Sequence, residues 1–135
     1  MKFFEASNLY SLNKSTYVNL RWIAYTGQLT AIIFVQFFLN FKFNYFACLG
    51  ILLLSILTNL YLQFQIREKQ INNFISTMYL SFDIIQLGVL FFFTGGITNP
   101  FIFLIIVPAV FSSQHLNITS NIIQVIFIIL ILIIL

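Results

Sequence analysis

Charge is what this chain has least of: Asp, Glu, Lys and Arg make up 7% of its 135 residues, against 61% hydrophobic residues and a mean hydropathy of +1.03. Soluble domains carry roughly 25% charged residues. A water-facing surface cannot be built from this composition, so the solvent it implies is a lipid bilayer. Six basic residues against three acidic ones supply no dense basic face, which excludes nucleic-acid binding. One cysteine, Cys48, excludes an internal disulfide, and one histidine, His115, leaves no Cys/His spacing for a metal. Cys48 reads as a small packing residue between helices or against lipid. A cleaved secretion signal is not expected either, because residues 1–19 are mixed and polar and no small-residue cleavage site follows a short apolar core.

What is present is a series of apolar runs, over residues 20–41, 45–66, 73–94 and 100–114, with a fifth from about 119 onward. The first would rise about 33 Å as a helix, enough for a hydrocarbon core of about 30 Å. Trp22 and Tyr25 stand at its inner end, and Phe41, Phe43 and Tyr45 at its outer end, where aromatic belts form. The fourth run, at about 22 Å, is short. The fifth is apolar through residues 131–135, with no polar or aromatic flank, so the chain is expected to stop inside its fifth span. The expected fold is an all-α polytopic transmembrane bundle of four full spans plus a truncated fifth, with 1–19 as a cytoplasmic segment and 20–135 in the membrane. Lys2, Lys14 and Arg21 lead the first run, Lys42 follows it, and Arg67 and Lys69 lie between the second and third. The excess of basic residues in cytoplasmic loops then puts the N-terminus and residues 66–72 inside and residues 41–45 outside.

Residues 95–101, Gly-Gly-Ile-Thr-Asn-Pro-Phe, separate the third and fourth runs. Gly95 and Gly96 can take the positive φ that ends a helix, Asn99 can cap the next one, and Pro100 suits its first position. Read so, the segment is a compact turn at the outer membrane edge. It can also be read as a site: Phe101 gives an aromatic face, the glycines let a ring approach the backbone, and the helix start aims N–H donors outward. Those are the needs of a flat, carbonyl-bearing apolar ligand such as a quinone.

Leu20-Arg-Trp-Ile-Ala24, Gly27-Gln-Leu29, Leu80-Ser-Phe-Asp-Ile-Ile-Gln-Leu87, Thr94-Gly-Gly-Ile-Thr-Asn-Pro-Phe101 and Val107-Pro108 occur in that order. Over about residues 20–115 this resembles the membrane sensor region of the RegB/PrrB/ActS redox-sensing histidine kinases of proteobacteria. The resemblance implies a six-span region in the bacterial inner membrane that binds ubiquinone at the Gly-Gly-x-x-Asn-Pro-Phe motif. It makes Gly95, Gly96, Asn99, Pro100 and Phe101 the candidate quinone contacts. It also implies a homodimer, and a kinase that answers the quinone pool and signals to a response regulator. The sixth span, phospho-acceptor hairpin and ATP-binding domain of that family have no counterpart here. His115 is not in the phospho-acceptor pattern, and no catalytic residue is expected in this chain.

Asp83 is the one acidic residue within the runs. A carboxylate there costs roughly 2.5–3.5 kcal/mol and should face the bundle interior. Counting helical rise from the inner ends puts Asp83 about 15 Å deep, Gln28 about 12 Å and Asn59 about 10 Å. With Gln86 one turn outward, these four are expected to form a buried polar layer linking spans one to three, as interhelical glue or as a signalling element. Pro108 should kink the fourth span, and Ala24, Gly27 and Ala31 should let a helix pack closely on the first. Asn117-Ile-Thr119 matches a glycosylation acceptor by chance on the expected inner side. Two other classes fit less well, a transporter or permease fragment and a membrane subunit of a respiratory complex. The helix breaker lies at the boundary rather than mid-membrane, and Asp83 is the lone ionisable group expected deep within the spans.

Overall fold

Four asparagines set the helix starts. Their side-chain oxygens accept from backbone N–H groups two or three residues on: Asn13 from Ser15 (3.1 Å), Asn44 from Ala47 (3.2 Å), Asn72 from Ile75 (2.9 Å) and Asn117 from Ser120 (2.9 Å). Each cap contributes on the order of 1 kcal/mol. They open α1 (Lys14–Phe37), α2 (Tyr45–Gln65), α3 (Asn73–Phe93) and, after a shorter α4 (Val107–His115), α5 (Ile118–Ile134). The computed structural model describes residues 12–40, 42–67 and 69–135. Residues 1–11, with Lys2, and Phe41, expected in the outer aromatic belt, lie outside the described residues. The described chain is all-helical apart from one two-residue strand pair, and α2 and α3 are long and apolar enough to cross a membrane.

α1 begins at Lys14 rather than at residue 20. The polar stretch expected to stay outside the bundle instead turns Tyr17 and Val18 into its core. A clamp holds that start in place: β1 (Leu12–Asn13) pairs antiparallel with β2 (Gln70–Ile71), Leu12 opposite Ile71 and Asn13 opposite Gln70. The Lys14 N–H donates to the Lys69 carbonyl at 3.0 Å, and Lys14 Nζ donates to the Ile66 carbonyl. The head of α1 and the α2–α3 connection therefore share one end of the bundle. At the other end α1 stops at Phe37, four residues before the expected limit, and Asn40 takes a left-handed φ of 50° as the chain reverses.

The helices bury narrow stripes at steps of three and four, such as Cys48, Leu52, Ser55, Asn59 and Leu62 on α2. Their outward faces carry Ile23, Phe37, Phe46, Leu53, Leu57 and Phe64, each at least 60% exposed. An apolar exterior of that extent fits lipid.

Two packing expectations are corrected. Pro108 does not kink a continuous fourth helix: residues Ile102–Ile106 wind as a 3-10 turn and Pro108 falls in the first turn of α4, where its missing N–H breaks no ladder. Among the described residues, no helix packs onto Ala24, Gly27 and Ala31. A Cβ on Gly27 would meet nothing within 4 Å, and the three residues form an open wall. The close approach is at Gly88 on α3, where an added Cβ would stand 2.6 Å from Ile131 Cγ2 of α5. Below it a polar ladder joins the same helices. Asn73 and Thr77 donate to Ser120 Oγ (2.9 and 2.7 Å), and Gln124 Nε2 donates to the Thr77 carbonyl and Ser81 Oγ, both at 3.1 Å.

A Gly88→Leu change should lower stability by about 1–3 kcal/mol, the usual cost of overpacking, whereas Gly27→Ala should be near neutral. Thermal unfolding of the two variants in one detergent checks both.

Candidate functional site

The turn after α3 is built from its own polar atoms. Gly95 (φ 114°) and Gly96 (φ 60°) reverse the chain through a region that L side chains avoid. Asn99 is 6% exposed and fully engaged. Its Nδ2 donates to Thr94 Oγ1 (2.7 Å) and the Thr94 carbonyl (3.2 Å), while its Oδ1 accepts from the Phe101 N–H (2.8 Å). It thus staples the turn to the end of α3 instead of capping a helix. The N–H groups of Thr98, Asn99, Ile102 and Leu104 go to the carbonyls of Gly95, Gly96, Asn99 and Phe101. Most of the expected outward donors are spent within the turn. Phe101 stands edge-on to Phe34 of α1, ring centroids 6.4 Å apart.

Phe101 marks one end of an open groove of about 1030 Å³ between α1, α3 and residues 101–111. The small side chains of Ala24, Gly27 and Ala31 leave its wall low, and Phe103, Leu104 and Pro108 face them. Gln28, Gln86, Asp83 and Arg21 are among its polar lining residues. Asn99 lines a smaller recess beside it with Gln28, Thr94 and Phe101. Gly95, Gly96 and Pro100 shape the turn and do not line the groove.

The polar layer is organised in two steps. Gln86 Nε2 donates to Gln28 Oε1 at 2.9 Å, both side chains buried. Toward the clamped end, Arg21 Nη2 binds Asp83 Oδ1 at 2.7 Å and Thr58 Oγ1 at 3.1 Å, and the Tyr17 hydroxyl donates to Asp83 Oδ2 at 2.6 Å. Tyr17, Tyr25 and Tyr79 surround the guanidinium, ring centroids 5.4, 5.7 and 5.6 Å from Cζ. Asn59 is fully buried, but its amide has no partner among the described residues. α2 joins the layer through Thr58 and through the Ser55 carbonyl, which accepts from the Tyr25 hydroxyl at 2.9 Å. His115 ends α4, its Nδ1 3.1 Å from the Phe111 carbonyl.

Arg21 and its tyrosines are what sequence reasoning missed. Counting Arg21 as a boundary charge hid it, although Tyr17, Arg21 and Tyr25 recur at a four-residue step on the face that also carries Gln28.

Neither a known protein-family profile nor a solved structure matches this chain. Over 109 residues it is 34% identical to the sensor histidine kinase RegB of Cereibacter sphaeroides, a match covering 80% of this chain and 24% of that protein. The chain belongs to the RegB family, as its membrane sensor region. It spans about a quarter of the length of the RegB protein it matches.

Replacing Asp83 by alanine leaves a buried guanidinium unpaired and should cost about 3–5 kcal/mol, while Arg21→Met with Asp83→Leu should recover most of that loss. Denaturation of the single and double variants, monitored by helical circular dichroism, tests the pair.

Proposed function

We propose that this chain is the quinone-responsive membrane portion of a redox-sensing histidine kinase, and that ubiquinone binds in the groove against the 95–101 turn. Four spans and part of a fifth lie in the bacterial inner membrane with the N-terminus cytoplasmic. In this arrangement Phe101 packs on the bound quinone, and Gly95, Gly96, Asn99 and Pro100 hold Phe101 at the groove mouth. The observation that carries the reading is the groove itself. It is largely apolar, bordered by the motif's aromatic and by a short row of polar groups, in a chain related to RegB.

Signalling follows by population shift. A ligand that prefers one packing of α1 against α3 and the broken fourth segment biases the bundle only by its difference in affinity for the two packings. The preference passes to a kinase region joined to the sensor, working as a homodimer with a response regulator.

Phe101→Ala should weaken ubiquinone binding about tenfold, a change of about 1.4 kcal/mol. Asn99→Ala should weaken it through a loosened turn. Photolabelling with an azido-quinone measures both, and equal labelling of wild type and both variants would remove the turn from the site.

A further inference from the structure

If the groove takes a quinone, its walls explain how a ring fits but not what reads its oxygens. The turn has little to offer: the N–H groups of Thr98, Asn99, Phe101, Ile102 and Leu104 and the Asn99 amide are already engaged. Hydrogen-bond capacity remains at the opposite end. The Arg21 side chain is 4% exposed and borders the groove, yet its Nε and Nη1 have no partner among the described residues. Only Nη2 is used, by Asp83 and Thr58.

A buried donor without a partner is costly, and a guanidinium presents its donors in a fixed planar fork. Here the fork cannot swing away to find another partner. Asp83 holds one end, the Tyr17 hydroxyl holds Asp83, and three tyrosine rings enclose Cζ. Asp83 also neutralises the charge of Arg21. The site therefore offers directed N–H groups without net positive potential, which suits a neutral acceptor better than an anion.

We infer that the free N–H edge of Arg21 is the recognition point for a carbonyl oxygen of a neutral ring bound in the groove, about two helical turns inward of Gln28. This rests on the quinone reading above and names the donor which that reading lacks. Ala24 and Gly27, with no side-chain bulk above them, form the wall along which the ring lies. Asp83 and Tyr17 act as positioning residues that fix the guanidinium plane.

The test titrates the purified full chain, in zwitterionic nanodiscs, with ubiquinone carrying a single isoprene unit, following quenching of Trp22, the one tryptophan of the sequence. Arg21→Met with Asp83→Leu removes the donors without stranding a charge and should raise Kd at least about tenfold. Arg21→Lys keeps the ion pair but loses the fork and should also weaken binding, so it decides the matter if the double variant fails to fold. Wild-type affinity in the folded double variant, or in Arg21→Lys where that variant does not fold, would overturn the inference. If Phe101→Ala still lost binding in that case, the quinone reading would stand. Absence of saturable quenching in the wild type would overturn both. Anionic lipid displacing the quinone only when Arg21 is present would overturn the neutral-ligand assignment. A change of oligomeric state in the double variant with unchanged quinone affinity would make the groove an interface between copies and overturn it as well.

Discussion

The Arg21–Asp83 pair is the constraint around which the bundle is organised. A single charge at this depth is disfavoured by roughly 2.5–3.5 kcal/mol on insertion scales, so each of the two requires the other. Their 2.7 Å contact fixes how far α1 is inserted relative to α3. The rest of the alignment follows outward along two helices that run the same way. Gln28 meets Gln86 at 2.9 Å, and Phe34 meets the Phe101 ring just past the end of α3. At the other end the Leu12–Ile71 and Asn13–Gln70 pairs hold the same register. Slipping α1 by one turn would break these contacts together, which apolar packing alone could not enforce.

This arrangement inverts the usual pattern of a folded domain. The buried stripe of α2 carries Ser55 and Asn59, and its exposed face carries Leu53, Leu54, Leu57 and Phe64. In lipid there is no apolar gain from burying leucine against leucine, so helix association depends on close packing and on polar groups that find partners. The α3–α5 contact uses both means, with Gly88 receiving Ile131 and the Asn73–Ser120–Thr77–Gln124 ladder beneath it. Each such hydrogen bond contributes about 0.6 kcal/mol, so specificity comes from their number and spacing.

The helical class and the reversal at Gly95 and Gly96 were legible in the sequence, because apolar run length and paired glycines act locally. What was not legible depended on partners distant in the chain. Arg21 looked like a boundary charge because rules for basic residues describe loops, and nothing local says that Asp83 lies opposite it. The Leu12–Ile71 clamp is too short to leave any alternating pattern. Ala24, Gly27 and Ala31 announced a smooth face, but smoothness serves a close helix or an open groove equally well. Asn99 was read as a cap from its residue type, whereas its amide reaches back to Thr94, a choice set by how tightly the glycines fold the turn.

The groove is a consequence of the interrupted fourth segment. A regular helix across residues 100–114 would carry side chains at steps of three and four and could close against the small face of α1 by ridges and grooves. Winding Ile102–Ile106 as a 3-10 turn, with Pro108 opening α4, replaces that helix with two short pieces. The face of Ala24, Gly27 and Ala31 is then left uncovered between Phe101 and Arg21. The wall that remains open is α1, and α1 is also tied at its far end, through β1 and Lys14, to the α2–α3 connection. On the proposed reading, a ring seated in the groove pushes on an element that, like α3, reaches from the turn to the clamped end. Because α1 is held by discrete polar pairs, it can respond by exchanging one set of partners for another rather than by gradual drift.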